Sequence, residues 1–329
     1  PSQHYVTYIS SNYFEDLQRV AIQLLNYGEE GTALQIIKYF ETDATTNFQS
    51  GNTDVLGIIV TSIGEVGKYA AENKAGTVVH ESIAATSLIG RNIARIDDAG
   101  KMEEMEMVLF GCVHSIGSIE LVSLSNYVGT RQVRYGIDVI EDLCLFASEQ
   151  DLIFGAATSM IENLVSIANR AVELNNVFIL NRVISALRKI CISNIARHRT
   201  QNRAALAAIG DIRDIALYAC ANNAIFPAAR TVHSALFSIA VKAQDEGFPE
   251  AVEKAVAGIA ELKVIYPDIF AQFDVPPPAE HGSGEAREMR AGVHYTTAVQ
   301  AERDRFRNYM NERLAPENRS GETESRKSG

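Results

Sequence analysis

Tryptophan is absent from the 329 residues and aromatic side chains make up only 8% of them. The apolar content, 47%, is carried largely by Ala, Ile, Leu and Val. That is the material of helix-on-helix packing, not of a β-sandwich or barrel. A basic excess is also missing. The formal charge of −11 argues against a general nucleic-acid binder, whose footprint is positive.

Cysteine is sparse, and its spacing excludes more than its number. Cys112, Cys144, Cys191 and Cys220 stand far apart with no C-x-x-C pair, so no zinc framework is indicated. Each lies in an apolar helical stretch, where a thiol behaves as a small hydrophobe, and a reducing, cytoplasmic compartment is the expectation. The longest uninterrupted apolar run, around Met107 to Val113, is shorter than a bilayer requires, so no transmembrane segment is expected. The start, Pro1-Ser2-Gln3-His4, has no basic region leading into an apolar one, as a secretion signal would. A first residue of Pro fits either removal of an initiator Met or a piece of a longer protein.

What is present is helical periodicity. Asn12 and Glu15 have capping-box spacing, and Phe14, Leu17, Ala21, Leu24 and Leu25 form one apolar face that ends at Gly28. A second helix is expected from Glu30 to Glu41, then a polar loop from Thr42 to Asn52.

Beyond this point the chain repeats. Ser62-Ile63-Gly64 is echoed by Ser115-Ile116-Gly117, by Ser159-Met160-Ile161 and by Ala208-Ile209-Gly210, at offsets of 53, 44 and 49 residues. A polar break follows each: Asn73 to Gly76, Ser125-Asn126, Asn175-Asn176 and Asn222-Asn223. The helices after the breaks also match, Val183 to Ile190 with Val232 to Ile239, again 49 apart, with Val79 to Ile83 and Val133 to Ile137 as weaker copies. A helix-turn-helix unit of this length is the period of HEAT- and armadillo-type solenoids. Gly64, Gly117 and Gly210 recur at one repeat position inside helices. Glycine there costs about 1 kcal/mol relative to Ala, so a close helix crossing is expected at each.

The sequence therefore reads as an all-α, helical-hairpin repeat α-solenoid over 1–274, with five or six hairpins, the last running from about Ala224 to Asp274. After it come a Pro/Gly-containing linker (275–295), a short amphipathic helix (296–314) and a disordered tail (315–329). Val299, Phe306, Met310 and Leu314 fall on one side of that helix and are its expected docking residues, through which the chain could associate with itself. From Val275 onward nine acidic residues balance nine basic ones, so the negative charge belongs to the repeats.

Motifs for chemistry fail on inspection. Val113-His114-Ser115-Ile116-Gly117 resembles a nucleophile elbow, but Val113 replaces the first glycine and the segment aligns with helical repeat positions. Gly64-Glu65-Val66-Gly67-Lys68 lacks the first glycine of a phosphate loop and is followed by Tyr69 in place of Ser or Thr. His80-Glu81 leads to no second histidine, and no histidine has Glu three residues before it, which removes the zincin and di-iron patterns. His80, His114 and His233 lie in repeat helices and are read as partly buried packing residues. Asn318-Arg319-Ser320 matches a glycosylation acceptor and is read as accidental. No metal, cofactor or catalytic set is expected.

One local reversal of charge stands out. Arg182, Arg188, Lys189, Arg197, Arg199 and Arg203 occupy a stretch without an acidic residue, and Arg131 and Arg134 lie on another second helix. First helices carry much of the acid, including Glu65, Glu103, Glu104, Glu120 and Glu162. An arginine stripe along the second helices is suited to an acidic or extended protein segment, because the guanidinium fork pairs with carboxylate or phosphate. The expectation is an interaction or scaffold module. The rivals are a helical enzyme or small-ligand binder whose site sequence cannot assemble, and the soluble region of a longer membrane-anchored protein.

Overall fold

The computed structural model describes residues 3–95, 102–149, 156–197, 203–222 and 228–270. The linker, tail helix and tail, with Val299, Phe306, Met310 and Leu314, lie outside them. All regular structure in the described residues is helical: α1 Gln3–Asn26, α2 Glu30–Ser50, α3 Thr53–Glu72, α4 Gly76–Ile93, α5 Met102–Ser125, α6 Thr130–Glu149, α7 Ala156–Glu173, α8 Val177–Arg197, α9 Arg203–Ala221, α10 Ala229–Asp245, α11 Pro249–Ile265 and α12 Pro267–Phe270. They belong to one compact unit, Pro1–Val275.

Packing follows a simple rule. Odd-numbered helices pack on odd neighbours, α1 on α3, α3 on α5 and so on to α11, and even-numbered helices pack likewise from α2 to α12. Each helix also meets its neighbours in sequence. The result is a two-layer helical-hairpin stack, an A layer of odd helices and a B layer of even ones, with the apolar core between. Ile63, Val66, Ile83, Ile116, Ile119, Ile137, Ile140, Ile167, Val183, Leu187, Ile212 and Leu236 are all fully buried there. No hairpin could bury these faces alone, which is why the repeats must stack.

The breaks are built alike. After α1, α3, α5, α7 and α10 one residue takes a left-handed conformation: Gly28, Lys74, Tyr127, Asn175 and Gly247, with φ of 77°, 60°, 56°, 51° and 69°. At each, the next amide reaches back to the carbonyl five residues earlier, as in Glu29 to Leu24 (2.9 Å), Ala75 to Ala70 (2.8 Å) and Asn176 to Ala171 (2.7 Å). These are Schellman turns, which satisfy the carbonyls that a helix end would otherwise leave unbonded. Gly51 closes α2 the same way.

Several sequence expectations need correction. α1 begins before Asn12, so no capping box forms, and Glu15 instead accepts a hydrogen bond from Ser11 Oγ at 3.0 Å. The expected loop after Glu41 is helical to Ser50. Its polar side chains bond their own helix, Thr42, Thr45, Thr46 and Ser50 each donating to the carbonyl four residues back, so they do not compete for a turn. The final hairpin expected from about Ala224 to Asp274 is, within the described residues, α10 and α11, which pack on each other across the Gly247 turn. α10 completes the repeat begun by α9, α11 joins the A layer against α9, and the single-turn α12 takes the B position beside α10.

α5 is also more apolar than its longest unbroken run suggested. Glu103–Ser125 has mean hydropathy 1.7 and is, by length and composition, sufficient to cross a membrane. His114, Ser115 and Ser118 only interrupt the run. In the fold 61% of that window is buried, with α3, α4, α6 and α7 packed around it.

Candidate functional site

Because each B helix follows an A helix through a hairpin turn, all B helices run in one sense and their N-termini line one edge of the stack. Gln132 near the start of α6 donates from Nε2 to the carbonyl of Gly76 at the start of α4, at 3.4 Å, which fixes two of these ends side by side. Tyr127, Arg131 and Arg134 project from the α6 end, Phe178 from the α8 end and Arg230 from the α10 end. All five are exposed, Tyr127 at 78% and Phe178 at 82%. Arg131, Arg134 and Arg230 make no ion pair among the described residues.

The other cationic residues are placed differently. Arg182 is drawn into the seam between α6 and α8, where its Nε donates to Asp138 at 2.5 Å and a guanidinium nitrogen lies 2.6 Å from Glu141. Lys189, two turns on along the same face, reaches the other oxygen of Glu141 at 2.7 Å. Burial acts to lower the pKa of Arg182, but Glu141 and Asp138 outweigh it and hold the group charged. Arg91 of α4 pairs with Asp142 of α6 at 3.0 Å. These are contacts between successive B helices, and they tie Arg182 and Lys189 to the protein itself.

Arg188 points away from that seam, about 120° around α8 from Arg182, and its Nε is buried without a hydrogen bond. Arg197 closes α8 and Arg203 opens α9, both exposed. They sit roughly 22 Å along the helix from Arg182, at the opposite edge of the stack. Arg199 lies outside the described residues. The arginines grouped by the sequence thus separate into a paired seam and two edges; among the described residues the α6 edge combines Arg without an ion pair with exposed aromatics.

Neither aromatic was singled out from sequence. Tyr127 follows the Ser125-Asn126 break and Phe178 follows Asn175-Asn176. An apolar residue beside a polar turn is the one signal they give.

The remaining candidates take structural roles. Ser115 lies inside α5, buried, with Oγ donating to the carbonyl of Val60 at 3.4 Å. His80 stacks on Tyr135, His114 on Phe110 and His233 on Phe237, with ring centroids 4.6, 5.9 and 6.4 Å apart. No three His, Cys, Asp or Glu side chains converge to hold a metal among the described residues. The four cysteines are buried and unbridged. Burial pushes the Cys220 thiol up to about 11 and the other three higher still, which leaves them poor nucleophiles.

Glu120 departs most from its expected place. The sequence places it among the acidic residues of the first helices, but it is completely buried and its carboxylate oxygens make no side-chain hydrogen bond. Its side chain lies against Gly136 of α6, where a Cβ would collide with it. Burial holds its carboxyl well above the usual range, and the Gly136 backbone offsets only part of this.

No family model matches this chain, and no curated protein does. Among solved structures it is similar to a circular tandem repeat protein with novel repeat topology and enhanced subunit contact surfaces. The identity is 14%, over 82% of this chain and 74% of that one, with a TM-score of 0.40. The fold assignment stands on the layer-by-layer packing described above.

Proposed function

We propose that the protein is an interaction module that holds an acidic, extended protein segment along the edge formed by the N-termini of α6, α8 and α10. The observation that carries this reading is that Arg131 and Arg134 are exposed, with no ion pair among the described residues, on an edge that also exposes Tyr127 and Phe178. Arginine and tyrosine are the side chains that concentrate binding energy at interfaces. The N-termini of three helices add partial positive charge at the same edge. A carboxylate- or phosphate-bearing chain crossing it would meet Arg134, Arg131 and Arg230 in bidentate reach, with Tyr127 and Phe178 as apolar anchors.

Arg182 and Lys189 contribute less in this reading than their sequence position suggested. Their charge is already balanced by Asp138 and Glu141, and breaking those pairs to bind a partner would leave buried carboxylate uncompensated. Arg182 instead supports the edge by locking α8 against α6.

The test is fluorescence anisotropy of the full chain against pools of Glu-rich and phosphorylated peptides, at low and high salt. Binding should weaken at high salt. It should fall by roughly ten-fold or more in Arg131→Glu with Arg134→Glu and hold nearly constant in Arg203→Glu on the opposite edge. Equal binding by the wild type and the double variant would sink the reading.

A further inference from the structure

The seams of the B layer correspond position by position. Ile137, Ile140 and Leu143 of α6 recur as Ile184, Leu187 and Ile190 of α8, and Val183, Leu187 and Ile190 of α8 recur as Val232, Leu236 and Ile239 of α10, buried in every case. On this register Glu141 of α6 corresponds to Arg188 of α8, and Arg182 and Lys189 of α8 correspond to Thr231 and Ser238 of α10. At the α6–α8 seam Arg182 and Lys189 grip Glu141 at 2.6 and 2.7 Å. The same three places at the α8–α10 seam hold a guanidinium and two hydroxyls, and no carboxylate.

Arg188 is placed to face α10. It lies about 100° around the helix from Lys189 and about 120° from Arg182, both of which reach α6, and α10 packs on α8 as its other B-layer neighbour. The half-buried Arg188 makes no ion pair or hydrogen bond among the described residues, and its Nε is fully buried. No acidic residue occurs in α8, and α10 has none before Asp245 at its last position. Two more polar groups belong to this seam. Asn181 stands two turns before Arg188 on the same face, with a buried Oδ1 that accepts no hydrogen bond. The Thr231 hydroxyl makes none among the described residues. Ser238 Oγ, by contrast, donates to the Ser234 carbonyl at 2.6 Å.

Buried polar atoms in native proteins are bonded to protein, to water or to an ion. An uncompensated guanidinium selects among these, because an anion meets both its donors and its charge. We infer that the α8–α10 seam is a binding site for a phosphate group, held by Arg188 with Thr231 beside it. The guanidinium fork matches two oxygens of a tetrahedral oxyanion, and the Thr231 hydroxyl can donate to a third, which a carboxylate does not have. The Arg188 side chain leans toward the N-terminus of α8, on the side where Asn181 lies, and a half-turn of the Asn181 amide would present its Nδ2 as a further donor. Arg188 lies roughly 15 Å along α8 from Phe178, so this site is separate from the edge at the helix N-termini and does not rest on the reading given above.

The test is inorganic phosphate added to the full chain, with thermal melts against chloride at equal ionic strength and calorimetric titration for the affinity. Phosphate should raise the melting midpoint saturably, and chloride should not. Arg188→Met replaces the unpaired charge by an apolar chain, so it should melt no lower than the wild type in chloride and should lose phosphate binding by roughly ten-fold or more. Thr231→Val is the gentler variant and should weaken phosphate roughly three-fold or more. Arg131→Glu with Arg134→Glu should leave phosphate binding unchanged. Glycerol phosphate in a parallel titration distinguishes the source, since tighter binding of it marks a phosphomonoester and tighter binding of inorganic phosphate a free oxyanion. The absence of a saturable phosphate effect overturns the inference. So does an effect that survives Arg188→Met or disappears with the α6-edge double variant, and so does wild-type affinity in Thr231→Val, whatever Arg188→Met does.

Discussion

Gly64 of α3 lies directly against Ser115 of α5: a Cβ on Gly64 would come within 2.8 Å of the Ser115 Cβ and 2.7 Å of its Oγ. Gly117, one repeat on, meets Asn163 of α7 in the same way, with the Asn163 Cβ at 3.0 Å. Gly210 does not. Its nearest neighbours are the tip of Lys254, at 3.4 and 3.5 Å, an ordinary contact with a flexible chain. Gly64→Ala and Gly117→Ala should therefore each destabilise the fold by about 1–3 kcal/mol through forced separation of A helices. Gly210→Ala should be neutral or stabilise by up to about 1 kcal/mol through helix propensity. Urea titrations of the three variants check the sign at each position.

The two kinds of B-layer ion pair should differ in worth. Arg182 and Glu141 expose 16% and 5% of their side chains, Arg91 and Asp142 46% and 56%. Arg182→Ala leaves a buried carboxylate with Lys189 alone, at a cost of about 2–4 kcal/mol. Arg91→Ala should cost less than about 1 kcal/mol. Comparable losses for the two in denaturant midpoints would show that the α6–α8 seam is not the stronger lock.

Glu120 should give the fold a pH dependence of its own. Its carboxyl ionises near 4.5 when unconstrained and well above that in the folded chain, so the folded state binds the proton more tightly. The stability this contributes is complete below pH about 4.5 and is lost as pH rises toward the folded value. Glu120→Gln should flatten that decline and stabilise the protein at neutral pH by on the order of 1–3 kcal/mol. Thermal melts of both proteins from acid to neutral pH provide the comparison. A wild-type profile that rises with pH as steeply as that of the variant would refute the assignment.

The Schellman turns carry residues poorly suited to them. Lys74 and Tyr127 hold left-handed conformations, with φ of 60° and 56°, that cost non-glycine residues about 1–2 kcal/mol. Lys74→Gly should stabilise by about 1 kcal/mol, and Asn175→Gly by less, since Asn tolerates this region. Calorimetric melts of the two variants test the ranking.

The repeats were legible because buried positions recur at helical spacing. Ser62-Ile63-Gly64 and Ser115-Ile116-Gly117 match because both cross a neighbouring A helix. The ends and the partners were not. On α1, Leu17 and Leu24 read as core residues yet are only half-buried, because spacing alone does not separate two adjacent stripes on one helix. The arginines misled for a related reason. Arg182 and Arg188 are close in sequence, yet one is locked to α6 and the other points away. Which carboxylate meets which guanidinium depends on side chains about 45 residues away, and no local pattern records that. The burial of Glu120 is not legible because nothing in its own helix announces Gly136 across the layer.

Each helix packs mainly on those one and two places away along the chain, and this has a consequence for how the molecule is made. Almost every stabilising contact joins segments that leave the ribosome within two hairpins of each other. Such a chain can acquire its structure in order of synthesis, each new hairpin condensing on a template already in place, with little loop closure to wait for. Among the described helices each therefore finds its packing partners among those made just before and just after it.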